Sequence, residues 1–326
     1  MTSITEILKA VRPTLSEGSL KTYTSIIVNL GKQMEKDLTT PEGVIAEYEA
    51  ILAHLGDVKP NLRKTKLACL IVFISKTEGH ETPTETFRKV MMEDKTHTEE
   101  EEKKQELSER QQEGWMEWEE VLERYHTLEK ETKGLWKKPA LDKAEFHRLQ
   151  TLVLLSCLVL LPVRRSLDWV EFKLKDHDEE KDNYLIYKKR KPFFVFNTYK
   201  TKGTYGRQEL EVPTKLATLL LKWKEKNPNT HLLMNYHQKG GINQTQLTQC
   251  LHTFFGKPIS TSLLRHIYLS HLHKNTPALQ EMAKTAEQMA HSVPQQLEYV
   301  KKPEVVSVPR RRPVLAKKKV DEASSD

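Results

Sequence analysis

Cysteine is scarce in this sequence, and its few cysteines are far apart. Cys69, Cys157 and Cys250 are odd in number, lie in apolar or helical surroundings, and have no metal-ligand spacing. This pattern disfavours both a disulfide framework and a cysteine zinc site. A reducing compartment is the simpler expectation, and we predict an intracellular protein.

Long hydrophobic runs and targeting signals are lacking as well. The longest apolar stretch, residues 151–163, leads into two arginines. It is shorter than the roughly 20 residues that a membrane-spanning helix needs. The first ten residues lack the basic-then-apolar order of a signal peptide. We therefore expect no membrane association and interpret the apolar stretch as a buried core helix.

Charged residues, by contrast, are abundant. They make up 30% of the 326 residues, and 52 Lys and Arg outnumber 45 Asp and Glu, which gives a formal net charge of +7. This balance favours a polyanionic partner, although a merely basic soluble protein explains it equally well. The length is comfortable for two domains and long for one.

Apolar stripes and a charged segment divide the chain into four predicted ranges. Residues 1–95 carry apolar residues at helical spacing and are expected to form a helical bundle. Residues 96–114, rich in Glu, Lys and Gln, are predicted to be a linker or an exposed helix. Residues 115–302 are predicted to form a second domain. Residues 303–326 form a basic tail that cannot bury a core.

The second domain combines predicted helices with a few strands. Asp142 and Glu145 form a capping box at the start of an apolar helix. Residues 184–187, 193–198 and 209–212 are β-rich or alternate between apolar and polar side chains. Three short strands among helices predict a mainly α fold with a small β-sheet, that is, an α+β protein.

Four segments contain residue types that bind phosphate or act in catalysis. Taken singly, each has an ordinary explanation: an ion pair with Asp168, a solvated basic turn, a surface arginine on an amphipathic helix, and a packed tyrosine. In chain order, the segments contain Arg164 with Arg165, Lys200 with Lys202 at a predicted hairpin tip, Ser262 with Arg265 and His266 at a predicted helix start, and His291 with Tyr299.

In this order, the four segments resemble the motifs of the tyrosine recombinase (phage-integrase-like) family. The resemblance covers roughly residues 115–302 and is greatest to members from viruses and mobile elements of eukaryotes. Arg164 falls at the family's first arginine, with Arg165 as the alternative if the register shifts by one. Lys200 matches the hairpin lysine, with Lys202 as the alternative. Further matches are Leu263-Leu264-Arg265-His266 to the second motif, with His266 as an alternate site residue, His291-Ser292 to the Gly-His-Ser motif, and Tyr299 to the nucleophile.

The resemblance implies a site-specific recombinase or integrase that cuts and rejoins DNA through a 3′-phosphotyrosyl intermediate. It implies that Tyr299 is the nucleophile, that Arg164 and Arg265 bind the phosphate, that Lys200 is the general acid, and that His291 hydrogen-bonds the phosphate. It also implies a helical DNA-binding bundle followed by a catalytic domain. The expected partners are double-stranded DNA and further copies of the chain, as a homotetramer on paired sites. No cofactor, metal or small-molecule substrate is expected.

The chain departs from the family pattern at several positions. Ser262 stands where the second motif has histidine, and its hydroxyl can hydrogen-bond a phosphate but is a poor base. Pro162 and Ala290 replace glycines. Rival hypotheses are a type IB topoisomerase or telomere resolvase with a similar pocket, and a DNA-binding descendant without catalysis. The basic tail fits a location in the nucleus or at a viral replication site.

Overall fold

The computed structural model describes residues 3–274, 276–289, 292–294 and 297. Of these, 61% are helical, so helices build most of the fold. The helices are α1 (Ile4–Val11), α2 (Glu17–Met34), α3 (Pro41–Ala46), α4 (Tyr48–His54), α5 (Pro60–Ile74), α6 (Glu81–Lys104), α7 (Glu109–Gly114), α8 (Trp118–Glu131), α9 (Lys143–Val159), α10 (Ser166–Trp169), α11 (Lys202–Tyr205), α12 (Thr214–Lys226), α13 (Gln244–Phe255), α14 (Thr261–Leu272) and α15 (Leu279–Gln288), with a 3-10 turn at Leu135–Lys137; the strands are β1 (Tyr184–Lys188), β2 (Lys191–Phe196) and β3 (Gln208–Glu211).

The three strands form one antiparallel sheet in the order β1-β2-β3. Tyr184 of β1 lies opposite Val195 of β2, and Phe194 of β2 lies opposite Leu210 of β3. Each strand overlaps a segment that the alternation of side chains predicted. The predicted class, mostly helical with a small sheet, is confirmed.

The chain divides into two compact units. One contains the residues up to Lys104 together with the described residues from Pro277 onward, and the other is Gln105–Thr276. The division falls inside the segment predicted as a linker, where α6 extends to Lys104 and α7 follows. Because α15 packs against α6, it groups with the first unit. The four ranges predicted from the sequence stay a prediction.

The first unit is a bundle built around α2 and α5. Leu20, Ile27 and Leu30, which belong to an apolar stripe of α2, are buried in its core. Arg63 of α5 donates from Nε and Nη2 to the two carboxylate oxygens of Asp94 on α6, at 2.9 and 2.5 Å. This paired contact fixes α5 against α6, because a buried carboxylate needs a charged or hydrogen-bonding partner.

The second unit has α9 as its central helix. The side chain of Asp142 accepts a hydrogen bond from the Glu145 backbone at 2.9 Å, so the predicted capping box is confirmed. Leu149, Val153 and Leu155 have no exposed surface, which agrees with the prediction of a core helix. No helix in the described part of the chain is long and apolar enough to cross a membrane.

Four aromatic rings join α10 to the sheet. Trp169 of α10 lies edge-on to Phe194 and Phe196 of β2, with ring centroids 5.4 and 5.6 Å apart. Phe172 contacts Phe194 at 5.2 Å. Such pairs are favourable beyond the apolar area they bury. The cluster therefore holds the loop before α10, which carries Arg164 and Arg165, in a fixed position over the sheet.

Candidate functional site

Arg164 and Arg165 lie between a buried helix and a short one. Helix α9 ends at Val159, and a short irregular segment then leads to Arg165, the N-cap residue of α10. The backbone N–H of Ser166 donates to Oγ1 of Thr261 at 3.1 Å. This bond joins the beginning of α10 to the beginning of α14, the helix that carries Arg265.

Arg164 is held by contacts within the protein. Its Nε donates to Oδ2 of Asp168 at 2.7 Å, and its Nη1 donates to Oε1 of Gln208 at 2.9 Å. Its guanidinium carbon lies 3.9 Å from the ring centroid of Phe196 and 5.5 Å from that of Tyr199. Arg164 thus connects α10 with β2 and β3, as expected for a buried ion pair that sets local geometry.

Asp168 is the carboxylate at the centre of this region. Its side chain is 5% exposed, and its Oδ1 has no hydrogen-bond partner among the described residues. Burial raises the pKa of the Asp168 carboxyl, while the charges of Arg164, Arg165 and Arg265 act in the opposite direction. Three guanidiniums are therefore close enough to Asp168 to influence its ionisation.

Arg165 and Arg265 are like charges that are close enough to influence each other. Burial lowers the pKa of Arg265, the nearby charge of Arg165 lowers it further, and Asp168 raises it. Both side chains are half-buried, and neither makes a hydrogen bond or salt bridge to any residue that the structure describes. Asp168 carries at most one negative charge and already pairs with Arg164, so it cannot neutralise all three arginines.

This arrangement favours an anion with several oxygens. Guanidinium groups bind phosphates or carboxylates through two parallel hydrogen bonds and stay charged at all ordinary pH values. Arg265 lies near the start of α14, a helix of 12 residues whose N-terminal N–H groups also favour negative charge. An oxyanion between Arg165 and Arg265 would relieve their mutual repulsion.

The two hairpin lysines follow β2. Lys200 is exposed and comes directly after Tyr199, whose buried ring faces the Arg164 guanidinium. The Tyr199 hydroxyl donates to the carbonyl of Gly206 at 2.5 Å, which closes the loop around Lys202 in α11. Lys200 therefore follows directly on a residue that packs near Arg164, and Lys202 lies on the single helical turn beyond it.

The other predicted site residues differ in how far the structure describes them. Ser262 and His266 are exposed on α14, on either side of Arg265 in the sequence. His291 and Tyr299 lie outside the described residues. The structure thus brings together Arg164, Arg165 and Arg265. The roles assigned to all the predicted site residues stay predictions.

Two contributors to the site were not singled out from the sequence. Gln208 accepts from Arg164, and Thr261 accepts from the Ser166 backbone. Both are long-range contacts, 44 and 95 residues apart in the chain. Gln208 directly precedes the segment 209–212 that was predicted as a strand, and its half-buried position is known only from the structure. Thr261 gave no signal, because a threonine after an N-cap serine is common in any helix.

The comparisons with known proteins add no family assignment. Neither a family model nor a curated protein matches this chain. The described residues contain no group of three or more His, Cys, Asp or Glu side chains that could hold a metal ion. The resemblance to tyrosine recombinases therefore stays a resemblance of sequence motifs.

Loss of Asp168 is expected to destabilise the second unit. An Asp168→Ala change leaves the Arg164 guanidinium, 15% exposed, without its carboxylate. Breaking a buried pair in this way typically costs about 3–5 kcal/mol. All five tryptophans lie within Gln105–Thr276, so urea unfolding followed by tryptophan fluorescence reports on this unit.

A surface ion pair provides the matched control for Asp168. Glu211 pairs with Lys191 at 2.9 Å, and both side chains are more than half exposed. Its replacement by alanine is expected to cost less than about 1 kcal/mol. Equal unfolding midpoints for the two variants would show that Arg164 does not depend on Asp168.

Proposed function

We propose that this protein is a DNA strand transferase of the tyrosine recombinase type, which cuts and rejoins DNA through a covalent phosphotyrosine. One observation carries the proposal. Arg165 and Arg265 are half-buried, close to each other, and without a partner among the described residues. Desolvating two neighbouring cations is unfavourable unless an anion accompanies them, and a bound phosphodiester would supply that anion.

In this proposal Arg165, rather than Arg164, binds the scissile phosphate together with Arg265. Two of the Arg164 donors already serve Asp168 and Gln208, and its guanidinium stacks on Phe196. Arg164 then acts as a positioning residue that fixes the loop. Arg165 follows it directly in the chain and has its donors available for substrate.

The chemistry follows from these charges. The Tyr299 oxygen attacks phosphorus and gives up its proton to water, and the bond from phosphorus to the 5′-oxygen breaks. Negative charge grows on the non-bridging oxygens, where two guanidiniums stabilise it. Lys200 gives a proton to the leaving 5′-oxygen. A phenol has a pKa of about 10, and the cationic site favours its ionised form.

The remaining residues have supporting roles in this scheme. Ser262 is exposed near the N-terminus of α14 and can donate a hydrogen bond to a phosphate oxygen. His291 supplies a second such donor. Lys202 and His266 are the alternates for the general acid and for the phosphate contact. The helical first unit would bind the duplex as one half of a clamp, with subunits assembled on paired sites.

Covalent trapping tests the proposal directly. The full chain is mixed with a duplex that is nicked near a candidate site, taken from the ends of the DNA element that encodes it, and the mixture is run on a denaturing gel. We expect an SDS-resistant protein–DNA adduct. Cleavage beside the nick releases a short fragment that carries the 5′-hydroxyl, and once this fragment diffuses away the reaction cannot reverse. Tight, salt-sensitive binding without any adduct on cognate sites would instead indicate a DNA-binding protein without catalysis.

A further inference from the structure

The turn between β1 and β2 has an unusual combination of backbone and side chains. Two residues, Lys189 and Arg190, connect the strands, and their φ angles are 49° and 68°. Two-residue hairpin turns with both angles positive strongly prefer Asn-Gly, Asp-Gly or Gly-Gly, because a Cβ is unfavourable there. The backbone is therefore strained at both positions, because each carries a long basic side chain.

The basic side chains next to this turn have acidic partners, whereas those of its two central residues have none among the described residues. Lys188 and Lys191 lie directly opposite each other, which would be repulsive without neighbours. Each pairs with a carboxylate of β3: Lys188 with Glu209, which also pairs with Arg207 at 2.9 Å, and Lys191 with Glu211 at 2.9 Å. Lys189 and Arg190 have no ion pair or hydrogen bond among the described residues.

Stability within the described fold does not explain this tip. Both side chains are exposed, so neither contributes buried apolar area to the core. Backbone strain that folding alone does not require is concentrated at functional positions. The fold presents two adjacent cations at the end of a rigid hairpin, where they can approach a surface without moving other elements.

We propose that Lys189 and Arg190 form a second DNA-binding element, the β1–β2 tip, which contacts backbone phosphates outside the cleavage site. The proposal rests on the proposed function only in taking duplex DNA as the partner. The tip lies at the opposite end of β2 from Phe196, the ring on which Arg164 stacks. It would hold flanking duplex without touching the reacting phosphate.

Counterion release sets the size of the expected effect. Each phosphate contact contributes about 0.9 to the slope of log affinity against log salt. Loss of two contacts should lower the magnitude of that slope by about 1.8. If affinity at 1 M salt is unchanged, binding at 0.1 M salt becomes weaker by up to about 60-fold.

The most informative variant is Lys189→Asn with Arg190→Gly, because it should raise the stability of the protein and lower its affinity for DNA. Asn-Gly suits the turn, so we expect the melting temperature by tryptophan fluorescence to rise by about 2–4 °C. Binding is measured by fluorescence anisotropy with a labelled 40-bp duplex of arbitrary sequence over a series of salt concentrations. The expected result is a more stable protein with weaker binding and a shallower slope.

A control variant removes the same charge elsewhere in the second unit. Lys222 and Lys224 are exposed on α12, and the change of both to glutamine should leave the slope nearly unchanged. Equal losses in the two double variants would reduce the effect to net charge and overturn the proposal. Wild-type affinity and salt slope in the tip variant would also overturn the proposal. The same holds if polyglutamate, a polyanion without phosphates, competes with DNA for wild-type protein and not for the tip variant.

Adduct formation separates this inference from the proposed function. With protein in large excess, the tip variant should form the covalent adduct to the wild-type extent, because the tip does not contact the reacting phosphate. If the wild-type protein forms adducts and the tip variant binds DNA normally, only the proposal for the β1–β2 tip is refuted. A wild-type protein that binds no duplex at all refutes both.

Discussion

A Tyr299→Phe variant is expected to bind DNA with nearly wild-type affinity and to form no covalent adduct. The change removes one oxygen, which is the atom that would bond to phosphorus, and keeps the aromatic ring. Phosphate contacts by lysines and arginines supply most of the affinity for DNA, so binding should persist. Anisotropy measures the affinity, and the denaturing gel measures the adduct.

The structure indicates which other tyrosine is the best control for the assignment of Tyr299 as nucleophile. Tyr199 lies nearest to Arg164, but its ring is buried and its hydroxyl is donated to the Gly206 carbonyl. Tyr205 is 66% exposed on the same loop, next to the two lysines in the chain. It is therefore the strongest rival among the described tyrosines. A Tyr205→Phe variant should form adducts at the wild-type rate.

Either of two results would contradict the assignment of Tyr299. An adduct that persists in Tyr299→Phe would require another nucleophile, and its loss in Tyr205→Phe would name that residue. Digestion of the wild-type adduct and mass spectrometry of the DNA-linked peptide locates the modified residue independently of any substitution.

Local signals in the sequence were sufficient for the fold class. The Asp142–Glu145 capping box and the alternating segments that became β1 to β3 depend on neighbours a few residues away, and such signals can be read from the chain. The division into two units depends instead on packing between distant helices. That α15 packs on α6 could not be read from local sequence.

The different environments of Arg164 and Arg165 could not be predicted from neighbouring residues in the sequence. The sequence places Arg164 and Arg165 side by side, and the register of the motif favoured Arg164, with Arg165 as the alternative. The difference arises from Asp168, Gln208 and Phe196, which engage Arg164 and leave Arg165 free of partners among the described residues. Gln208 and Phe196 are distant in the chain, so the distinction exists only once the sheet has formed.

The basic turn was missed for a different reason. Turn prediction relies on glycine, asparagine and aspartate, and the β1–β2 connection contains none of them. Residues 188–191 therefore resemble an ordinary solvated charge run. A two-residue turn that lacks these preferred residues is informative, because other parts of the fold must compensate for the stability that the turn loses.

Arg165→Gln and Arg265→Gln variants are expected to form the covalent adduct on the order of 100- to 1,000-fold more slowly than wild type. This is the usual loss when one donor to a developing oxyanion is removed. Their thermal stability should stay the same or rise, since each change removes a half-buried charge and the repulsion between the pair. Single-turnover adduct formation at saturating protein measures the rate.

Arg164→Gln is expected to lower both the stability and the reaction rate, and this different pattern separates the two neighbouring arginines. It removes the cation that pairs with the buried Asp168 carboxylate, so the second unit should lose stability, as in other broken buried pairs. Lys222→Gln on α12 controls for the loss of one exposed charge. If Arg164→Gln kept its stability and lost the reaction, while Arg165→Gln reacted normally, the phosphate contact would belong to Arg164. The joint measurement of stability and rate decides between them because a positioning residue affects both, whereas a phosphate ligand without protein partners affects the rate alone.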